Sequence, residues 1–190
     1  GADINVVNDE GFSALLAAAS NGYLEVVNYL TTRGAKSETL QLQNILVTPE
    51  NLFGSSREEV DLQVDSKETN VSEPFYELIS AAIEGRLSVV NQLLAKGAQV
   101  NNTDDVGRTA LMEASSFGRY GVVKRLLEAG ADVNVADNQK MTALMLATLE
   151  GRVSVANLLI EWKADVNASD AEGITSLMLA GNEGRTEIAR

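Results

Sequence analysis

The sequence has 190 residues, 45% of them hydrophobic and 22% charged, and these fractions are typical of a folded globular protein rather than a disordered or fibrous one. Lysine and arginine number 15 against 27 aspartates and glutamates, so the formal net charge is -12. Such a field repels nucleic-acid phosphates and anionic membrane surfaces, so neither nucleic acid nor a membrane is expected as a partner.

The chain contains neither histidine nor cysteine. Disulfides, Ser-His and Cys-His catalysis and the usual zinc sites therefore have no residues from which to form. No apolar run of about 18 residues predicts a transmembrane helix, and no basic-then-apolar leader is present. We expect a non-enzymatic protein without cofactor or metal, located in the cytoplasm unless the parent chain carries a signal or an anchor.

A unit of 33 residues recurs along the chain, with copies starting at Gly1, Val64, Gly97, Gly130 and Lys163. The predicted repeats are 1–33, 64–96, 97–129 and 130–162, with a partial repeat at 163–190. A period of this length is typical of stacked units that touch only their neighbours. The chain is therefore expected to form one elongated array.

Each unit predicts a first helix that neighbouring helices approach closely. Position 15 is Leu in all five copies, position 16 is apolar, and position 18 is always Ala. A hydroxyl residue just before this run predicts the N-cap in four copies, namely Ser13, Thr109, Thr142 and Thr175. A glycine at position 22 ends the helix in all five, at Gly22, Gly85, Gly118, Gly151 and Gly184.

A second amphipathic helix follows the first four of these glycines and makes an antiparallel pair with the first helix. Its pattern Val-Val-x-x-Leu-Leu is complete in the second and third copies and varied in the first and fourth. Gly34, Gly97 and Gly130 close three of these second helices. Lys163 stands in the same place after the fourth, where a left-handed conformation costs about 1 kcal/mol. A local adjustment of the backbone is expected there.

The motifs Gly-Ala-Asp-Val-Asn, Asp-x-x-Gly-x-Thr-Ala-Leu-Met and Val-Val-x-x-Leu-Leu at this period resemble the ankyrin repeat family over residues 1–33 and 64–190. The resemblance implies an all-α solenoid of antiparallel helix pairs with hairpin or turn connections, curved with a concave face. The family's Thr-Pro-Leu-His tetrapeptide is altered, because Ala or Ser mostly replaces Pro and an apolar residue replaces His. Extra apolar packing is expected in place of the Thr-to-His hydrogen bond.

The period breaks between Gly34 and Gly97, where residues 34–63 are additional to the repeat. The segment from Ala35 to Glu73 carries eight acidic residues against three basic ones. Its apolar residues do not fit the core positions of the unit. Two interpretations are open, a partly helical acidic insertion and a degenerate repeat that stacks in line.

Candidate partner-binding residues are those at unit positions that the stack does not require. They lie at positions 9, 10 and 12 of the hairpin and at 20 and 21 of the first helix. The mostly apolar members are Phe12, Phe75, Arg108, Met141, Ile174, Ile83, Phe117 and Leu149, and the polar members are Glu10, Glu73, Asp105, Asn138, Gln139, Glu150 and Glu172. They predict an anchor stripe for a protein or peptide with a basic rim. The alternative is that these side chains cover the first-helix caps of adjacent repeats.

The leading prediction is a non-catalytic protein–protein interaction module, monomeric, that uses the concave surface and the acidic insertion. One alternative is an assembly segment of a longer repeat protein with repeat faces exposed at both ends, and another is a targeting array for a catalytic domain elsewhere. Asn134 and Asn167 also resemble the asparaginyl hydroxylation context of ankyrin repeats. Arginines next to Gly85, Gly118, Gly151 and Gly184 predict ion pairs between repeats.

Overall fold

A computed structural model describes residues 1–36 and 74–189, with the backbone alone for Pro74 and Phe75. The helices of these ranges are α1 (Ala14–Ser20), α2 (Leu24–Thr32), α3 (Pro74–Glu84), α4 (Leu87–Ala95), α5 (Ala110–Ser116), α6 (Tyr120–Glu128), α7 (Ala143–Leu149), α8 (Val153–Glu161), α9 (Ser176–Asn182) and α10 (Thr186–Ala189). They form five pairs, each joined by a short turn. The all-α prediction is confirmed, whereas most of the predicted insertion or degenerate repeat at 34–63 lies outside the described residues.

The first helices begin where the hydroxyl residues predict. The side-chain oxygens of Ser13, Thr109, Thr142 and Thr175 each accept a hydrogen bond from the backbone N–H three residues later. Each bond satisfies one of the N–H groups that a helix start leaves without a partner. The N-cap assignment is confirmed in all four units.

An Asx side chain at position 8 shapes each hairpin before the cap. In Asn8, Asp104, Asp137 and Asp170, the Oδ1 atom accepts from the N–H groups two and four residues later, over distances of 2.8 to 3.2 Å. In three of these hairpins the residues that flank the tip also form an isolated antiparallel bridge. The pairs are Val7 with Ser13, Ala136 with Thr142 and Ser169 with Thr175. The side chain therefore adds to the backbone hydrogen bonds of the same hairpin, such as that from the Asp137 N–H to the Met141 carbonyl at 3.0 Å.

Lys163 adopts the left-handed conformation of the glycines that it replaces, with φ of 69°. Its N–H donates to the carbonyl of Ile160 at 3.0 Å, as that of Gly130 does to Leu127. The adjustment at this residue is small: its φ of 69° compares with 87° to 93° at the closing glycines Gly34, Gly97 and Gly130, because the hydrogen bonds that end the helix hold the backbone near the repeat's geometry.

Replacing Lys163 by Gly is expected to raise the free energy of unfolding by about 0.5 to 1 kcal/mol, because Gly has no Cβ to strain a positive φ. Urea unfolding followed by circular dichroism measures this difference. Glu161→Gly, in the adjacent exposed helix end, is the control and should lower stability. A stabilised control or a destabilised Lys163→Gly variant would contradict the strain argument.

The first helices stack in the order α3, α5, α7, α9 and α1, and the second helices in the order α4, α6, α8, α10 and α2. Residues 1–33 thus pack on the last unit of the sequence. The repeat period does not predict this order, because it says nothing about which units are neighbours in the stack. The physical reason is that all units present the same kind of stacking face, so an end of the array accepts any unit that fits it.

The hydrogen bonds across this junction repeat those between consecutive units. Asn101 Oδ1 accepts from the N–H of Asp132 at 2.8 Å, and Asn134 Oδ1 from that of Asp165 at 2.8 Å. At the junction, Asn167 Oδ1 accepts from the N–H of Asp3 at 2.6 Å. Residues 1–33 therefore occupy the register of the next repeat after 163–189.

The core follows the positions that the repeat pattern singles out. The alanine at position 18 is completely buried in every unit, at Ala18, Ala81, Ala114, Ala147 and Ala180. The position-16 methionines that replace the family's His are also buried, at Met112, Met145 and Met178. The extra apolar packing predicted for this substitution is present. Leu177 is an exception at position 15, because it remains partly exposed beside the short helix α10.

Candidate protein-binding surface

The hairpins and the C-terminal ends of the first helices lie on one side of the stack, which we call the hairpin face. Of the predicted binding residues, Glu10, Asp105, Phe117, Asn138, Gln139, Glu150 and Glu172 are exposed there, and Ile83, Arg108, Met141 and Leu149 are partly buried. Glu73 and the side chain of Phe75 lie outside the described part of the chain. Phe12 and Ile174 are buried, with 8% and 4% of their surface exposed.

The burial of Phe12 and Ile174 corrects their assignment as accessible anchors. Both residues immediately precede an N-cap, and a side chain at this place packs on the fourth residue of the following helix as a hydrophobic staple. Ile174 and Leu179 have this spacing and belong to the same core cluster. Phe12 and Ile174 therefore cover the start of the first helix, as in the alternative interpretation.

Unit 97–129 replaces this staple by an ion pair. Arg108 stands at the staple position and its Nη1 atom lies 3.0 Å from Oε1 of Glu113, five residues later. The Nε atom of Arg108 lies 3.6 Å from Oδ2 of Asp137 in the next unit. The two carboxylate side chains are nearly buried, at 10% and 4% exposure, whereas the Arg108 side chain is 32% exposed.

These charges line a polar pocket of about 380 Å³ between two hairpins. Its walls are Asp104, Val106, Arg108, Glu113, Asp137, Asn138 and Gln139. Hydrogen bonds within its own hairpin fix the carboxylate of Asp137. Its Oδ1 atom accepts from the N–H groups of Gln139 and Met141, while its Oδ2 atom faces Arg108. The carboxylate therefore joins the backbone of one unit to the guanidinium of its neighbour.

The electrostatics of the pocket favour a fully charged arginine. Burial alone lowers the pKa of Arg108, but the hydrogen bond and charge of Glu113, with the charges of Asp137 and Asp104, raise that pKa above its ordinary value. Three carboxylates face one guanidinium, so the walls carry an excess of negative charge. Such a pocket suits a cationic group that can accept no hydrogen bond and donates several.

The sequence carries a signal for this cluster outside the variable positions of the unit. Glu113 stands at unit position 17, where the other copies have Ala17, Ser80, Leu146 and Leu179. A charged residue at a position that is otherwise apolar or small, together with an arginine at position 12, indicates a compensating pair. Val106 is a further hairpin residue that was missed, and it is 55% exposed at the mouth of the pocket.

In the part of the chain that the structure describes, three of the four arginines at position 23 bind backbone carbonyls of the preceding unit rather than carboxylates there. The guanidinium groups donate to the backbone carbonyl at position 20 of that unit. The pairs are Arg119 with Ile83 at 2.8 Å, Arg152 with Ser116 at 2.9 Å and Arg185 with Leu149 at 3.4 Å. Carbonyls near a helix C-terminus lack intrahelical partners and are therefore available to accept these hydrogen bonds. The ion pairs of this corner form within units, as between Arg86 and Glu84 at 2.7 Å.

A second cavity, of about 410 Å³, lies on the opposite side among α2, α8 and α10. It is lined mainly by apolar residues, including Ile4, Leu30, Ile160, Val166 and Ile188. None of the predicted binding residues lines it, so we treat it as a packing gap.

Comparison with known families assigns the repeat. The family described as "Ankyrin repeats (3 copies)" matches residues 78–170, and the one described as "Ankyrin repeats (many copies)" matches residues 1–31. The two matches together cover most of the chain, which belongs to the ankyrin repeat family. No curated protein matches it.

Ankyrin repeats generally act as protein–protein interaction modules and are typically non-catalytic. Among the residues that the structure describes, no helix is long and apolar enough to cross a membrane.

Proposed function

We propose that this protein is a non-catalytic binding module whose hairpin face takes a protein or peptide bearing basic side chains. The observation that carries the proposal is the pocket around Arg108, in which the nearly buried carboxylates of Glu113 and Asp137 leave an excess of negative charge next to exposed hairpin residues. A lysine or arginine of the partner would enter between the hairpins and donate to these oxygens.

Several features of the surrounding surface support a binding role. Asp105 and Gln139 are exposed at the tips of the two hairpins that form the pocket, and Val106 adds an exposed apolar side chain. A charge-assisted hydrogen bond in such a place contributes about 1.5 to 3 kcal/mol, and the apolar contact excludes water around it. The net charge of -12 adds a long-range attraction for basic partners.

The test compares two doubly substituted baits in quantitative affinity purification. Asp105→Arg with Gln139→Arg reverses the field at the pocket mouth, whereas Glu128→Arg with Glu161→Arg makes the same kind of change on the exposed ends of α6 and α8. We expect the first pair to reduce partner recovery about tenfold or more and the second pair to leave it nearly unchanged. A third bait with the segment 37–63 shortened tests the proposed contribution of the acidic residues there.

Titration of the purified partner completes the experiment. Its affinity should fall with increasing salt for the native chain and should depend less on salt for the Asp105→Arg, Gln139→Arg variant. Recognition of basic groups by this pocket would be contradicted if both double variants lost the same fraction of partner recovery. It would also be contradicted if the affinity of the native chain did not change with salt concentration.

A further inference from the structure

Two arginines in the middle of the stack are held in place by the unit that precedes each of them. The stem of Arg119 lies over Gly85, where an added Cβ atom would come within 2.8 Å of its Cδ atom. Its Nε atom donates to the carbonyl of Ile83 at 2.8 Å. Arg152 makes the corresponding contacts one unit further along. Both guanidinium groups are therefore fixed by the stack itself.

Each of these groups uses only Nε for that bond, although a guanidinium has five N–H donors. Within the described part of the chain, the terminal nitrogens of Arg119 and Arg152 have neither a hydrogen-bond acceptor nor an ion-pair partner, and Glu150 forms no ion pair with them. By contrast, Arg86 and Arg185 lie 2.7 and 3.9 Å from a glutamate two residues earlier. The two central arginines are exposed and retain donors for an anionic group.

Exposed apolar side chains adjoin these arginines. The residue two positions before the arginine is a glutamate in three other units, Glu84, Glu150 and Glu183. In unit 97–129 it is Phe117, which is 45% exposed, and Tyr120 beyond the turn is 46% exposed. Leu87 reaches the same turn, because its Cδ2 atom lies 3.7 Å from the place of a Cβ atom at Gly121. We call this surface the turn patch, formed by Leu87, Phe117, Arg119, Tyr120 and Arg152.

We propose that the turn patch is a second docking surface, and that it binds an acidic protein segment in which a large apolar side chain stands beside carboxylates. The donors of Arg119 and Arg152 complement carboxylates, which is the opposite preference to that of the pocket around Arg108. Arginine and tyrosine are also among the residues that contribute most to binding free energy in protein interfaces.

Two further arguments define the occupant. Because the arginine stems are already ordered, binding loses less side-chain entropy than it would with mobile arginines. The net charge of -12 repels a long polyanion such as a nucleic acid, whereas a short segment with a few carboxylates experiences mainly the local charge. The apolar side chain of the segment would contact Phe117 and Tyr120, which a bare anion cannot do.

NMR titration of the native chain with a defined peptide tests the proposal. The probe is acetyl-Glu-Glu-Phe-Glu-Glu-amide, and the readout is the Nε–H signals of Arg119 and Arg152, which their carbonyl hydrogen bonds protect from exchange. Both signals should shift in a saturable way, with an affinity that falls as salt is raised. A peptide with Ala in place of Phe should bind about tenfold more weakly, because it buries less apolar surface. Inorganic phosphate should give no saturable shift.

Phe117→Glu is the informative variant, because three other units carry glutamate at this position and the fold accommodates it. The new carboxylate competes for the arginines and removes the aromatic contact, so the peptide affinity should fall about tenfold or more. Leu24→Glu is the matched control, since it adds the same charge at a residue that is 72% exposed beside the turn of unit 1–33. It should leave the affinity within about twofold.

The proposal would be overturned if the acidic peptide produced no saturable shift of the two arginine signals up to about 5 mM. Equal affinities for the Phe and Ala peptides, or a saturable shift with inorganic phosphate, would also overturn it, because the patch would then bind anions without recognising a protein segment. Equal losses in Phe117→Glu and Leu24→Glu would overturn it as well, since only the overall charge of the chain would matter.

Discussion

Leu111→Ala is expected to lower the free energy of unfolding by about 2 to 5 kcal/mol. Leu111 is 1% exposed and lies in the core cluster shared by the units from 74 to 164. Truncation removes apolar contacts and leaves a cavity that neighbouring helices cannot close, because each is held by its own caps and hairpin. Urea unfolding followed by circular dichroism gives the difference from the shift in midpoint at constant slope.

Leu24→Ala is the control for this prediction. Leu24 lies in α2 with 72% of its surface exposed, so the same truncation removes little buried area and should cost less than about 0.5 kcal/mol. A loss below about 1 kcal/mol for Leu111→Ala would show that its side chain is not part of the stacking core.

Asp137→Ala is expected to cost about 2 to 4 kcal/mol. Its Oδ1 atom accepts from the N–H groups of Gln139 and Met141, each at 2.9 Å, and its Oδ2 atom faces Arg108. The substitution leaves two hairpin N–H groups without their acceptor and removes one of the charges around the guanidinium. Thermal and urea unfolding measure the loss.

Asp137→Asn separates the hairpin from the ion pair. Asn8 makes the same two hydrogen bonds in the first unit, so an asparagine can keep the hairpin while it removes the charge. Because Arg108 is partly exposed and retains Glu113, this variant should cost about 1 kcal/mol or less. An equal loss for both substitutions would mean that the charge, and not the hairpin geometry, stabilises this junction.

Local features of the fold were predictable because they depend on residues close in sequence. Thr142 caps a helix through an N–H three residues away, and Asp137 bonds to its own hairpin. Ala147 is buried wherever the repeat stacks, whatever its neighbour. Such interactions reach over a few residues, so a 33-residue pattern repeated five times predicts them all.

The candidate site was predictable only in part. Arg108, Asn138 and Gln139 stood out as variable hairpin residues and do line the pocket. Glu113 and Asp137 did not, because Glu113 lies at a helix position and Asp137 stands where three other copies also have an Asn or Asp turn residue. Both carboxylates surround the guanidinium of Arg108, and this is visible only in the folded stack, where Nε of Arg108 lies 3.6 Å from Oδ2 of Asp137 in the next unit.

The repeat period, the helix pairs, the caps and the buried alanines follow from the sequence alone, since each unit carries the same local chemistry. The position of residues 1–36 does not, because all stacking faces look alike in sequence and the period says nothing about which face meets which. Close packing decided it, because a Cβ atom at Gly181 would lie only 2.6 Å from the carbonyl oxygen of Ala14, so a glycine is needed for α1 to pack this closely.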